Sequence, residues 1–591
     1  MSAPEGEEGK EGGSPRAATG TEGAPPSGTG GETKPPSGLS SITVALGLCA
    51  CCCCAVIAVV AISFVLAIWD VYTELKQQLM PEEFEYGQWA TVSDVSECSH
   101  VVREAFQKGG KLADAAVSTL LCMGVAAPHL MGIGGGFIAL HYDQKTDKVK
   151  ALNALGKSAS SVGVLAPKET KRGPQASIVS GALQGYEILH KDLGGKFSWE
   201  QLFAPAINLA NNGFPIKKHF ADILKSHESE IASSAELQKI FKDVKKEGDK
   251  LVQADLGKTL TDISKEGASA FYTTKAGELI TKLGATTLTA QDFSGYKASW
   301  VDPITQNTVE DEEFFTAPFP SSGVLITAGV ERASIGFTSR HQTSTFSAKD
   351  NRGMLPYLKK RMQHVLVAIP ELDGREADLG FPGLIKQIND GIKSKKDAAV
   401  PKHTVVQDYG GVHLSIVNEE GALSIVSGLN EPFGSKVVPL GGVIMNNYVS
   451  AFAPKYASDA KTPNELAPSS QPRTSLIPIM AKRRSEKMIR LVAGSGGGLK
   501  GMWALVEVLT CIKLARAPSC VQEKDRIAPE IPGGDDSVKD IQPTANGIFA
   551  KKPYVSWVAP SDNVHCDGSS GGGKVTVDEK MEAYDKIKDQ P

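Results

Sequence analysis

The residues whose types and spacing could do chemistry are gathered between Asp408 and Val438, in the run DYGGVHLSIVNEEGALSIVSGLNEPFGSKVV. His413 and Ser415 stand two residues apart, in phase with Gly411, so an extended chain points all three positions the same way. The imidazole could serve as a base, but on a strand of this kind it reads as a structural hydrogen-bonder. Other patterns suggest chemistry and fail. Gly568–Lys574 fits the G-x4-G-K spacing of a phosphate loop, yet Val575 stands where Mg2+ binding needs Ser or Thr. Val575-Thr576-Val577 then alternates without the helix that would hold phosphate. Gly134-Gly135-Gly136 is a weak dinucleotide signal, with no acidic ribose ligand at suitable spacing. Cys511, Cys520 and Cys566 lack metal-site spacing. No cofactor and no metal are expected.

The elements that would position His413 and Ser415 can be read around them. Val412, Leu414 and Ile416 alternate with His413, Ser415 and Val417, the period of a strand buried on one face. Glu419-Glu420-Gly421 is a turn signal and Leu423–Val426 a second strand, so the pair reads as a hairpin. Upstream, Val95–Gln107 reads as an amphipathic helix with Cys98, Val101, Val102, Ala105 and Phe106 on one side. Gly109-Gly110 stops it, and Ala113–Met123 reads as a second helix. Cys98 lies 11 residues before Gly109 and Cys122 lies 12 after Gly110. In an antiparallel helix pair the two thiols come level. They either form a disulfide, which argues for an oxidising compartment, or stay as two buried free thiols.

Composition bounds the rest. The chain has 591 residues, 60 of them glycine, and a formal net charge of −4. The length suits a large mixed α/β globule, and the balanced charge excludes electrostatic steering of nucleic acid. Lys393–Lys396 and Lys482–Arg484 read as solvated loop faces. Residues 1–41 hold almost no large apolar side chain and read as a disordered tail. Ile42–Ile68 carries no charge and as a helix would span ~40 Å, more than the ~30 Å hydrocarbon core. The preceding segment is too long and too acidic for a cleaved signal peptide, so 42–68 reads as an uncleaved transmembrane signal anchor. Lys34 and Lys76 flank it evenly and charge does not set its orientation. Cys49 and Cys51–Cys54 are either small apolar filler or sites of S-palmitoylation. No Asn-x-Ser/Thr sequon follows the anchor, which weighs against an extracellular domain.

Several blocks carry a family resemblance. They are Asp114–Val117 with Pro128-His129 and Met131–Phe137; Trp199, Phe203, Pro205, Ala206 and Gly213-Phe214-Pro215; Phe271-Tyr272, Asp292-Phe293 and Tyr296; and Pro318–Gly323. With Gly410–Ser415 they make the chain resemble the γ-glutamyltransferase (glutathione hydrolase) family over roughly residues 87–567. The resemblance implies an N-terminal-nucleophile hydrolase-like four-layer αββα sandwich, here preceded by one transmembrane helix and followed by a flexible tail, 568–591. It also implies a cystine between Cys98 and Cys122.

Family enzymes carry G-T-x-H-x-S, and the Thr hydroxyl first cuts the chain before itself and then attacks the γ-glutamyl carbonyl, with its freed amine as base. Here the Thr position is Gly411. Thr404 lies outside the strand register and Ser415 keeps its own family position, so neither substitutes. The resemblance implies further losses. The family's second threonine falls at Gly428, the acidic side chains that hold the substrate ammonium at Tyr448 and Ala451, and the Arg that holds its carboxylate at Leu155. Asn430, the hydroxyl pair Thr474-Ser475 and the oxyanion glycines Gly496-Gly497 are retained. Two functions compete: a catalytically inactive, membrane-anchored binding or partner-interaction protein, single-pass type II with its ectodomain extracellular or luminal; or transfer and hydrolysis of glutathione and related γ-glutamyl compounds. Expected partners are the membrane, a glutathione-like ligand or a protein, and no nucleic acid.

Overall fold

The computed structural model describes residues 82–163, 165–307, 312–338, 411–452, 464–485 and 489–496, the backbone of 544–551, 554–558 and 565–577, and isolated residues elsewhere. Residues 1–41, the expected anchor apart from Ile62, Ser63 and Val65, Lys393–Lys396, Thr404, Gly497, Cys511 and Cys520 lie outside the described residues. Among the described residues no helix is long and apolar enough to cross a membrane. The chain divides into two units, Met1–Lys76 and Gln77–Pro591, and the second carries the strands, the helices and the candidate site.

In chain order this second unit opens with β1 (Glu82–Ser93), α1 (Ser99–Gln107), α2 (Leu112–Ala126), β2 (Gly136–Asp143) and β3 (Lys148–Ala154). A helical stretch comes next: α3 (Ala182–Asp192), α4 (Trp199–Asn212), α5 (Lys218–Ser226), α6 (Glu228–Ala232), α7 (Ala235–Phe241) and α8 (Ala254–Glu266). Then come β4 (Ser299–Val301), β5 (Ile304–Asn307), β6 (Glu312–Thr316), α9 (Gly323–Thr338), β7 (Val412–Asn418), β8 (Gly421–Gly428), β9 (Ile477–Arg483), β10 (Ile489–Gly496), β11 (Thr544–Lys551), β12 (Tyr554–Val558) and β13 (His565–Val577). One sheet runs β13-β1-β7-β8-β2-β3-β4 and the other β12-β11-β10-β9-β6-β5, with antiparallel neighbours throughout.

Alternation along the strands assigns the layers. Phe137 and Ala139 of β2, Leu414 and Ile416 of β7 and Leu423 and Ile425 of β8 point into one apolar cluster with Val117 and Leu120 of α2, Leu183 of α3 and Phe203 of α4. The intervening Ile138, Leu140, Ala422 and Val426 face Met480 of β9 and Val492 of β10 across the two sheets. Helix α9 packs against β6 and β9 of the second sheet, with Val324, Leu325 and Ile326 buried. The described residues therefore stack as helix, sheet, sheet, helix, the αββα order the resemblance implies.

The helix pair joined by Gly109-Gly110 forms as read, and a disulfide joins Cys98 to Cys122 with the Cα atoms 5.7 Å apart. Two carboxylates serve the start of α2. Glu420 accepts from Leu112 N at 2.8 Å, while Asp114 accepts from Lys111 N at 2.7 Å. Asp114 also meets His190 Nε2 at 3.0 Å and accepts from Lys196 N and Phe197 N, both at 2.9 Å. Burial pushes this carboxyl up, but the His190 contact and the Lys196, Lys111 and Phe197 amides together hold it below the ordinary aspartate value.

Three expectations are corrected. β7 is buried on both faces through Ile416, because the second sheet covers the side carrying His413 and Ser415. Lys482 is not on a solvated loop: it lies in β9, 8 % exposed, with Asp147 Oδ1 at 3.0 Å and Glu313 Oε2 at 3.7 Å, so the charge is paired between strand and turn. The flexible tail does not begin at Gly568. The alternating Val575-Thr576-Val577 continues β13, which pairs with β1 through Glu82↔Val577, and β1 itself begins before residue 87.

Candidate functional site

Gly411 is the residue before β7. The hairpin register sets Val412 against Ser427 at the end of β8, and β8 in turn sets Gly428 against Gly136 of β2. Three neighbouring strands thus end close together on glycine. The approach leaves no room for a side chain. A β-carbon built on Gly411 would overlap the Ser427 carbonyl, lying 2.6 Å from its carbon and 3.0 Å from the Gly428 Cα. The Gly428 carbonyl is itself blocked from the other side, with a β-carbon on Gly135 falling 3.1 Å from the carbonyl carbon.

His413 is fully buried between the sheets. Its Nε2 lies 2.9 Å from Ser415 Oγ and 3.3 Å from Ser424 Oγ. Ser424 Oγ donates to Ala493 O at 2.6 Å and Ser415 Oγ to Val492 O at 3.3 Å. The two hydroxyls link Nε2 to β10 carbonyls, and the imidazole tautomer sets which atom of each serine contact donates. Through Ser415 and Ser424 the imidazole ties the first sheet to β10 of the second. Gly494 admits the ring, since a β-carbon there would lie 2.6 Å from Nε2. Asp94 fixes the strand entry, accepting from His413 N at 2.7 Å.

Leu155, Tyr448 and Ala451 are brought together, but as core. All three are buried in one apolar cluster with Ile178, Leu476 and Phe315. Polar side chains serve the backbone around them. Gln471 Nε2 donates to Leu155 O at 2.6 Å, Tyr296 Oη donates to the same oxygen at 3.0 Å, and Asn446 bridges Gly134 O and Ile178 O. Asn430 Nδ2 donates to Asn447 Oδ1 at 3.1 Å and Ser450 Oγ at 2.8 Å, whereas its Oδ1 is buried and makes no hydrogen bond among the described residues.

Thr474 and Ser475 are fully buried. Thr474 pairs with the 318–323 turn through Pro320 O and Ser322 N, and its Oγ1 accepts from Leu476 N at 3.2 Å. Asn464 connects this segment to the Ala451 backbone. Next to them Arg473 is buried, its guanidinium carbon 5.4 Å from the centre of the Phe319 ring. Gly496 closes β10.

Sequence reasoning missed Ser424, Asn446, Gln471 and Arg473. Only Ser424 left a signal, since it stands directly across the hairpin from Ser415. The other three act on backbone groups or rings far away in sequence.

Two stacked antiparallel sheets between helices, with the catalytic-type strand entering at the mid-sheet hairpin, place the chain in the N-terminal-nucleophile hydrolase class of folds. The cephalosporin acylase of Bacillus halodurans superposes with a TM-score of 0.65 over 83 % of this chain and 97 % of that one, at 18 % identity. The family follows from the sequence match: the gamma-glutamyltranspeptidase pattern covers residues 98–531, and the chain belongs to that family. Relatives include Scoloptoxin SSD14 of Scolopendra dehaani, 27 % identical over 72 % of this chain and 79 % of that protein. The glutathione hydrolase 5 proenzyme of Rattus norvegicus is 27 % identical over 69 % of this chain and 76 % of its own length.

Proposed function

We propose that this chain is a non-catalytic gamma-glutamyltranspeptidase family member, held in the membrane by residues 42–68 as a single-pass type II protein, with the folded unit extracellular or luminal. It works by binding a glutathione-like ligand or a protein partner. The observation that carries the reading is position 411. A residue without a side chain can neither cut the chain before itself nor attack a γ-glutamyl carbonyl, and the Ser427 carbonyl fills the space a β-carbon would need.

The ligand grip points the same way. The positions matched to the substrate's carboxylate and ammonium partners are Leu155, Tyr448 and Ala451, which pack within one apolar cluster instead of presenting charge. The orphaned Asn430 Oδ1 is a remaining acceptor for a bound donor. The disulfide fits an oxidising compartment.

Full-length protein purified in detergent and offered a γ-glutamyl anilide tests the reading. It is expected to release no aniline above the buffer rate. Brisk release that scales with protein concentration would instead establish transfer or hydrolysis of γ-glutamyl compounds.

A further inference from the structure

His129 occupies the turn between α2 and the glycine run leading into β2. It is 3 % exposed, and neither ring nitrogen has a hydrogen-bond partner among the described residues. A buried imidazole with both nitrogens unserved is uncommon, because each polar atom costs free energy when withdrawn from water. What surrounds the ring is aromatic. Phe220 of α5 stacks on it at 4.0 Å between centroids, and Phe433 lies tilted at 6.1 Å. Phe241 of α7 closes the cage against Phe220 and Phe433, and His227 packs on Phe433 at 5.6 Å.

The same residue holds a strained loop. Leu429–Lys436 continues from β8 directly beyond Gly428. Three non-glycine residues in it, Asn430, Phe433 and Lys436, have φ of 81°, 59° and 63°. Such left-handed conformations persist only where neighbours over-determine them. The clamps come from the His129 turn: Phe433 N donates to His129 O at 2.7 Å and Leu429 N to Leu130 O at 2.8 Å. Phe433 is thus fixed twice by His129, through its amide and through its ring.

We propose that His129 is an acid-sensitive latch: protonation drives its ring out of the aromatic cage and releases the Leu429–Lys436 loop beside the candidate site.

The histidines around the ring respond to acid in one direction, while Glu431, held above the ordinary glutamate value by burial, opposes them. From α5 the ring faces His219, and from the end of α5 His227, both of which would add like charge on acidification. From α6 comes Glu230, engaged by Arg172 and by Lys436 Nζ at 3.5 Å. From the loop come Glu431, whose carboxylate lies 3.9 Å from Lys436 Nζ, and Lys436 itself, whose ammonium donates to Pro432 O and Gly434 O. α7 contributes Phe241. The acidic groups are engaged by Lys436 and Arg172, so they do not stand ready to receive a His129 cation. Burial holds His129, and to a lesser degree His219 and His227, below the ordinary histidine value. The closed form is therefore favoured in full above the open-state histidine value near ~6.5, and as pH falls below it the open form gains up to about tenfold per pH unit for each histidine released.

Hydrogen exchange of the full chain in detergent, corrected for intrinsic rates and compared between about pH 7.5 and about pH 5, reads the latch. Peptides spanning 429–436 should lose protection by at least about tenfold on acidification, while β2 peptides keep theirs. His129→Phe, or His129→Leu if the first does not fold, should keep the loop protected at both values. Exchange at the His129 ring carbon, followed in the wild type, should titrate together with loop opening. A loop equally protected at both values overturns the proposal. So does opening that survives the substitutions, or opening whose midpoint does not track the His129 ring.

Discussion

Gly411→Thr would return a hydroxyl to the start of β7, but the carbon that carries it has nowhere to sit. Its β-carbon would lie 2.6 Å from the Ser427 carbonyl carbon, a backbone group that moves only if the end of β8 moves. Overpacking of this kind costs ~1–3 kcal/mol. The variant is therefore expected to unfold at lower denaturant than the wild type and still to release no aniline from a γ-glutamyl anilide. The second half of that outcome follows from Leu155, Tyr448 and Ala451. On the proposed reading these positions withhold two charge-assisted hydrogen bonds from substrate, worth ~3–6 kcal/mol, or roughly 10²–10⁴ in binding. Brisk turnover by the single variant would show a substrate grip that these residues do not provide. At this scale the sequence was legible where periodicity applied: His413 and Ser415 share a face because strands alternate. It was silent on Gln471 and Asn446, whose partners are Leu155 O and the Gly134 and Ile178 carbonyls hundreds of residues away.

The α1–α2 pair is the element on which the first sheet rests, and two bonds fix it. The Cys98–Cys122 disulfide closes a loop of about 25 residues and contributes ~3 kcal/mol on the loop-entropy account. Mass mapping of the non-reduced protein should recover the linked peptide, and reduction should lower the melting temperature. Recovery of both thiols alkylated would contradict the fold and the oxidising compartment together. Asp114 is the second bond. Its folded value lies below the ordinary one, so its contribution is present above pH ~4 and lost as pH falls through the folded value. Asp114→Asn is expected to cost ~1.5–3 kcal/mol near neutral pH and to flatten the acid limb of the stability profile. A variant with an unchanged acid limb would show that other carboxylates govern it. Hairpin and helix pair were both readable from local patterns, since turn glycines and periodicity are local. The double burial of β7 and the pairing of Lys482 were not, because each depends on the opposing layer.

For the whole molecule, the layered core is what the family match and the superposition support, and on the proposed non-catalytic reading a chain without a nucleophile at position 411 holds that core together uncut. The β13–β1–β7 pairing brings the last described strand beside the first, so the edge strand of the sheet includes 568–577, which the sequence suggested was a loose tail. The proposed anchor, 42–68, is an uncharged stretch long enough to cross a bilayer as a helix. The most direct measurement takes full-length protein from cells, runs it under reducing conditions and sequences every N-terminus. A chain that cannot cut itself should give one band near 62.5 kDa. Two fragments, the smaller beginning at Gly411, would contradict a non-catalytic role.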